Sequence, residues 1–114
     1  MARVIAFVPD LLFGSKVIEM LRAAGHEAVL VSDLGIVGPD AADVLVVDLT
    51  ADAAERVELI DRADVGRFPR LAFYAHTETE VRELAERAGF DLVVPRSRMA
   101  REGAELVGRL AAES

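Results

Sequence analysis

The chain has 114 residues, 53% of them hydrophobic, and a formal net charge of −7. It is long enough for one packed domain over residues 1–114 and too acidic for nonspecific binding to nucleic acid, which needs a basic face. It has no cysteine and two histidines, His26 and His76, which excludes a disulfide framework, a thiolate metal site and a histidine-rich metal site. No apolar run approaches the roughly 18 residues of a membrane span. Met1-Ala2-Arg3-Val4-Ile5 leads into a strand without a signal-peptide layout, so a soluble cytoplasmic protein is expected, with neither membrane nor nucleic acid as partner. Asn and Gln are absent and Lys16 is the only lysine; this composition is compatible with a thermophilic source and equally with genomic base composition.

In chain order, Arg3–Val8, apolar on every residue after Arg3, predicts a buried strand, ended by Pro9-Asp10. Leu11–Ala24 carries Phe13, Val17, Leu21 and Ala24 at helical spacing, with Asp10 or Ser15 to cap it and Gly25 to stop it. A second strand spans His26–Ser32, with His26 placed as a charge partner of the preceding helix end. The connection that follows, Asp33–Ala42, holds two glycines and a proline, so a loop or a single helical turn is expected, with Leu34, Ile36 and Val37 packing on the sheet. Asp43–Asp48 is apolar on four consecutive residues and ends in a carboxylate; it reads as the central strand, covered on both faces. Thr50 is expected to cap a helix over Ala51–Ala63, with Ala53, Val57 and Ile60 inward. Leu71–Ala75 is the fourth strand. Thr77 and Glu80 fit a capping box before a helix with Val81, Leu84, Ala85 and Ala88 inward, ending at Gly89. Leu92–Val94 is the fifth strand. A last helix runs to about Ala112 with Ala100, Val107, Leu110 and Ala111 inward, weakened by Gly103 and Gly108 by up to about 1 kcal/mol each.

Strands alternating with helices give an α/β fold, a three-layer doubly wound sandwich. Its five-stranded parallel sheet takes the order 2-1-3-4-5, with the second helix short or missing. In that order the ends of strands one and three are neighbours, and ligands collect in the crevice at the carboxyl edge. This edge gathers Asp10 and Asp48, which are weak candidates to hold Mg²⁺ through oxygen ligands. It also gathers Ser15, Lys16, His76, Thr77, Arg96, Ser97 and Arg98, a set suited to a phosphate-bearing or other small anion. The plainest reading is an internal ion pair between Asp48 and Arg96, without ligand. Apart from Mg²⁺ no cofactor is expected, and no spacing of nucleophile and base marks an enzyme.

The buried strand closing in Asp48, the five strand–helix units and Ala88-Gly89-Phe90-Asp91 ahead of the last strand resemble the response-regulator receiver domain over nearly the whole chain. The resemblance implies that Asp48 fits the phosphoacceptor and Asp10 the second of two supporting acids. Pro9 occupies the first acid's place. By spacing from Gly89, Arg96 takes the place of the family's lysine and Ser97 that of its proline. Tyr74 or Ala75 stands where the family has Thr or Ser, unless a shift brings Thr77 in. The implied function is a non-catalytic, receiver-like signalling or protein-interaction module with an eroded phosphoacceptor site. It would contact a protein partner or a second copy through the helix after strand four, strand five and the last helix. Two alternatives stand beside it: an active phosphoacceptor at Asp48, and an anion binder at the strand ends.

Overall fold

The computed structural model describes residues 2–34, 42–63 and 68–113. Five parallel strands, β1 (Arg3–Phe7), β2 (Glu27–Val31), β3 (Val44–Asp48), β4 (Arg70–Tyr74) and β5 (Leu92–Pro95), pair in the order β2-β1-β3-β4-β5. Four α-helices flank the sheet among the described residues: α1 (Leu11–Ala23), α2 (Ala53–Ala63), α3 (Thr79–Arg87) and α4 (Arg96–Glu113). The expected sheet order and central strand are therefore observed. The described part of the β2–β3 connection contributes no α-helix. It buries Leu34, while Ile36 and Val37 lie outside the described residues.

The strands lack polar–apolar alternation because both faces are covered. Val4, Ala6, Val8, Val44, Val46, Leu71, Phe73 and Val94 pack under α1 and α4. Ile5, Phe7, Leu45, Val47, Leu49 and Ala72 pack under α2 and α3. Every residue of β3 is buried. The register is pinned at the amino edge by two aspartates that precede strands. Asp43 accepts from the Arg3 N–H (2.8 Å) and donates its own N–H to the Arg3 carbonyl (2.7 Å). Asp91 does the same with Arg70, at 2.8 and 2.9 Å. Each bond satisfies backbone groups at the start of a strand that would otherwise lack partners.

Helix ends follow the sequence in some places and depart from it in others. Gly25 (φ 91°) and Gly89 (φ 90°) close α1 and α3 in Schellman motifs. In these His26 N–H reaches the Leu21 carbonyl and Phe90 N–H the Ala85 carbonyl. Asp10 caps α1, whereas Ser15 lies exposed within the helix. Thr50 does not cap α2. The helix starts at Ala53, with the Asp52 carbonyl taking the Arg56 N–H at 2.9 Å and Asp52 itself at φ 49°. The Thr77–Glu80 capping box is also absent. Ala75 to Glu78 closes into a turn, and α3 begins with Glu78 in the cap position and no side-chain cap bond.

The last helix differs most from expectation. It starts directly after β5, buries Met99, Gly103, Leu106, Val107 and Leu110, and leaves Ala100 exposed. Gly103 is not a weakness. A Cβ there would stand 2.7 Å from Met20 Cε and 2.9 Å from Met99 Sδ, so the missing side chain lets α4 lie close against α1. At the amino edge His26 bridges the residue ahead of β1 and α4. Its Nδ1 accepts from the Ala2 N–H (3.1 Å), which leaves Nε2 as the donor to the Ala104 carbonyl (3.1 Å). It ties the residue ahead of β1 to α4 rather than serving as a charge partner of α1.

Candidate functional site

Asp48 ends β3 at the carboxyl edge of the sheet, one strand over from the β1–α1 turn. It is the one buried charged residue of the described core, 2% exposed. Three donors hold it. Its Oδ1 accepts from the Thr50 N–H at 2.8 Å and from the Thr50 hydroxyl at 2.5 Å. Its Oδ2 lies 3.6 Å from Arg56 Nη1. The same Nη1 donates to the Asp48 backbone carbonyl at 2.8 Å. Arg56 stands on the first turn of α2, with its side chain 13% exposed. A carboxylate removed from water needs both charge compensation and hydrogen bonds, and Thr50 and Arg56 supply them from within eight residues of chain.

The expected Asp48–Arg96 pair is not formed. Arg96 is the first residue of α4, and its guanidinium carbon sits 4.1 Å above the centre of the Phe13 ring. Phe13 in turn meets Phe73 edge-on, with ring centroids 5.2 Å apart. Because α1 and α4 both start at the carboxyl edge, their first turns lie side by side. The planar guanidinium therefore finds an aromatic face in place of the carboxylate.

The remaining sequence candidates are spread along the same edge. Asp10 uses its Oδ1 on the Leu12 and Phe13 N–H groups, at 3.0 and 3.2 Å. Ser15 and Lys16 are exposed on α1, and His76 and Thr77 are exposed in the turn after β4. Ser97 is exposed, its carbonyl taking Arg101 Nε at 3.4 Å, and Arg98 pairs with Glu102 at 3.4 Å. Tyr74, next in β4 after the residue beside Asp48, is buried. No group of three or more His, Asp or Glu gathers as a metal site among the described residues. The large apolar side chains exposed among the described residues are Leu11, Leu12, Val29 and Leu59. They lie on α1, β2 and α2, and none lies on α3, β5 or α4, where the partner contact was expected.

Sequence reasoning missed Arg56, yet a signal was present. Arg56 interrupts the buried side of a helix marked by Ala53, Val57 and Ile60. A charge adjoining an inward stripe calls for an inward partner.

No protein-family model matches the sequence, and no curated protein is similar to it. Solved structures do match in fold. The receiver domain of a Francisella response regulator superposes with a TM-score of 0.80 at 16% identity, covering 99% of this chain and 98% of that one. A response regulator receiver protein from Burkholderia phymatum gives 0.80 at 19% identity, covering 98% and 96%. The receiver domain of a Pseudomonas aeruginosa sensor histidine kinase, solved with a magnesium ion in its active-site cleft, gives 0.78 at 18% identity, covering 97% and 98%. With the strand order, the flanking helices and a buried aspartate ending β3, these superpositions show that the chain has the fold of the response-regulator receiver domains.

Proposed function

We propose that this chain is a receiver-fold signalling and protein-interaction module that works without phosphotransfer. The observation that carries this reading is the satisfaction of Asp48 from within the chain. Thr50 occupies one carboxylate oxygen, Arg56 faces the other, and the residue is 2% exposed. A phosphoacceptor needs an oxygen open to an incoming phosphoryl group, with cations to neutralise the charge that develops there. Here Pro9 stands where the family has an acid, Asp10 caps α1, and Arg96 lies on Phe13. Of the cations expected to hold an anion at the strand ends, Arg96 lies on Phe13 and Arg98 forms a surface pair with Glu102, while Lys16 is exposed on α1. Signalling by such a module rests on surface contacts with a protein partner.

The test is a pair of ¹H–¹⁵N spectra of the intact protein, with and without Mg²⁺ and beryllofluoride, an acyl-phosphate mimic. Unchanged resonances for Leu49–Ala53 and the first turn of α4 are expected. Saturable shifts there that Asp48→Asn abolishes would establish the phosphoacceptor reading instead.

A further inference from the structure

The structure assigns Arg56 the role of a built-in counter-cation at Asp48, in the place where a buried acid of this kind would otherwise take a divalent metal ion. The inference rests on the reading above and names what keeps the site silent. A hard divalent cation binds oxygen atoms, commonly carboxylate and backbone carbonyl together. Arg56 Nη1 contacts that combination, 2.8 Å from the Asp48 carbonyl and 3.6 Å from its Oδ2. The guanidinium is not a chance visitor from solvent. Its side chain is 13% exposed, and its residue is anchored on the first turn of α2 through the Arg56 N–H to the Asp52 carbonyl at 2.9 Å.

Two further carboxylate oxygens at this edge already accept hydrogen bonds. Asp48 Oδ1 receives both Thr50 donors, and Asp10 Oδ1 receives two backbone N–H groups of α1. The residues present thus do not fit a metal ion while Arg56 is in place. A fixed positive charge differs from a bound ion in one decisive way: it cannot leave. The charge at Asp48 is compensated at every Mg²⁺ concentration, so the β3–α2 turn has one state where a metal-dependent site has two.

Removing the guanidinium should therefore hand the site to the metal. Thermal melts of wild type, Arg56→Ala and Arg56→Gln are compared in EDTA and in excess Mg²⁺, with Asp48→Asn/Arg56→Ala as control. Wild type is expected to melt at the same temperature in both. The single variants should gain about 5 °C or more with Mg²⁺, the shift for a ligand at roughly ten times its Kd, and the double variant should gain nothing. Folded single variants indifferent to Mg²⁺ would overturn the role of Arg56 while leaving the phosphotransfer-free reading intact. Variants that fold in neither solution would overturn it too, since Mg²⁺ would then fail to replace the guanidinium. A Mg²⁺ response of the wild type that Asp48→Asn removes would overturn both readings at once.

Discussion

Two glycines in α4 should respond to the same substitution with opposite sign. Gly→Ala inside a helix gains up to about 1 kcal/mol from propensity and the reduced freedom of the unfolded chain. At Gly108 the new Cβ would stand 3.7 Å from His26 Cε1 and 3.8 Å from Nε2, ordinary contact, so Gly108→Ala should stabilise by about 0.5–1 kcal/mol. At Gly103 the same atom would stand 2.7 Å from Met20 Cε and 2.9 Å from Met99 Sδ and Cε. Half-buried Met20 can swing aside, but Met99 is fully buried between α4 and the sheet. Overpacking of this kind costs about 1–3 kcal/mol, which exceeds the propensity gain and leaves Gly103→Ala destabilised by about 1 kcal/mol. Urea denaturation of the two variants measures the difference directly, as a fall in midpoint for one and a rise for the other at unchanged slope. If the two alanine variants shift the midpoint in the same direction by the same amount, the close approach of α1 and α4 at Gly103 is wrong.

The arginine assignments separate cleanly. Arg56→Ala leaves Asp48 buried with only Thr50 as donor and should cost about 3 kcal/mol, the lower end for breaking a buried pair because the ion pair is long. Arg96→Ala loses an exposed contact with the Phe13 ring and should cost under about 1 kcal/mol. Thermal or urea melts that rank Arg96→Ala as the more damaging change would return Arg96 to Asp48. The Arg3 backbone N–H, first among the causes, holds the Asp43 carboxyl below its ordinary value against the opposing effect of burial, which ranks next, and the Arg3 guanidinium adds to the lowering. A carboxyl lowered in the folded state contributes stability above its unfolded value, near about 4, and loses it as pH falls through the folded one. The destabilisation by Asp43→Asn should therefore be largest at neutral pH and shrink in melts below about pH 4; a gap constant down to pH 3 would refute the carboxylate's role.

Much of the architecture could be read in one dimension. Val44–Val47 and Val4–Phe7 are apolar on every residue, and only a strand covered on both sides needs that, so the layers and the central place of β3 followed. Gly25 and Gly89 announced helix ends because the left-handed conformation they adopt is costly for other residues. The placement of Asp48 at the carboxyl edge followed from its position at the end of that apolar run. Local signals failed where two structures competed for one side chain. Thr50 and Thr77 both resemble helix caps in sequence. Thr50 instead donates to the buried Asp48, and Thr77 falls in a turn closed by the Ala75 carbonyl.

What tertiary structure alone decided is the identity of Asp48's partner and the meaning of Gly103. An arginine side chain is long enough that several could reach a given carboxylate, and nothing in spacing says which. The choice depends on where α2 begins, and that depends on the turn at Asp52, which puts Arg56 beside the end of β3. It depends equally on α1 and α4 starting side by side, which gives Arg96 the face of Phe13. Gly103 reads as a defect in a helix until two helices are brought together across it. The chain order of apolar and polar residues is thus sufficient for the sheet and its edge, because burial is a property of runs. The charge partner of the buried acid is a property of three-dimensional reach, and only the folded chain supplies it.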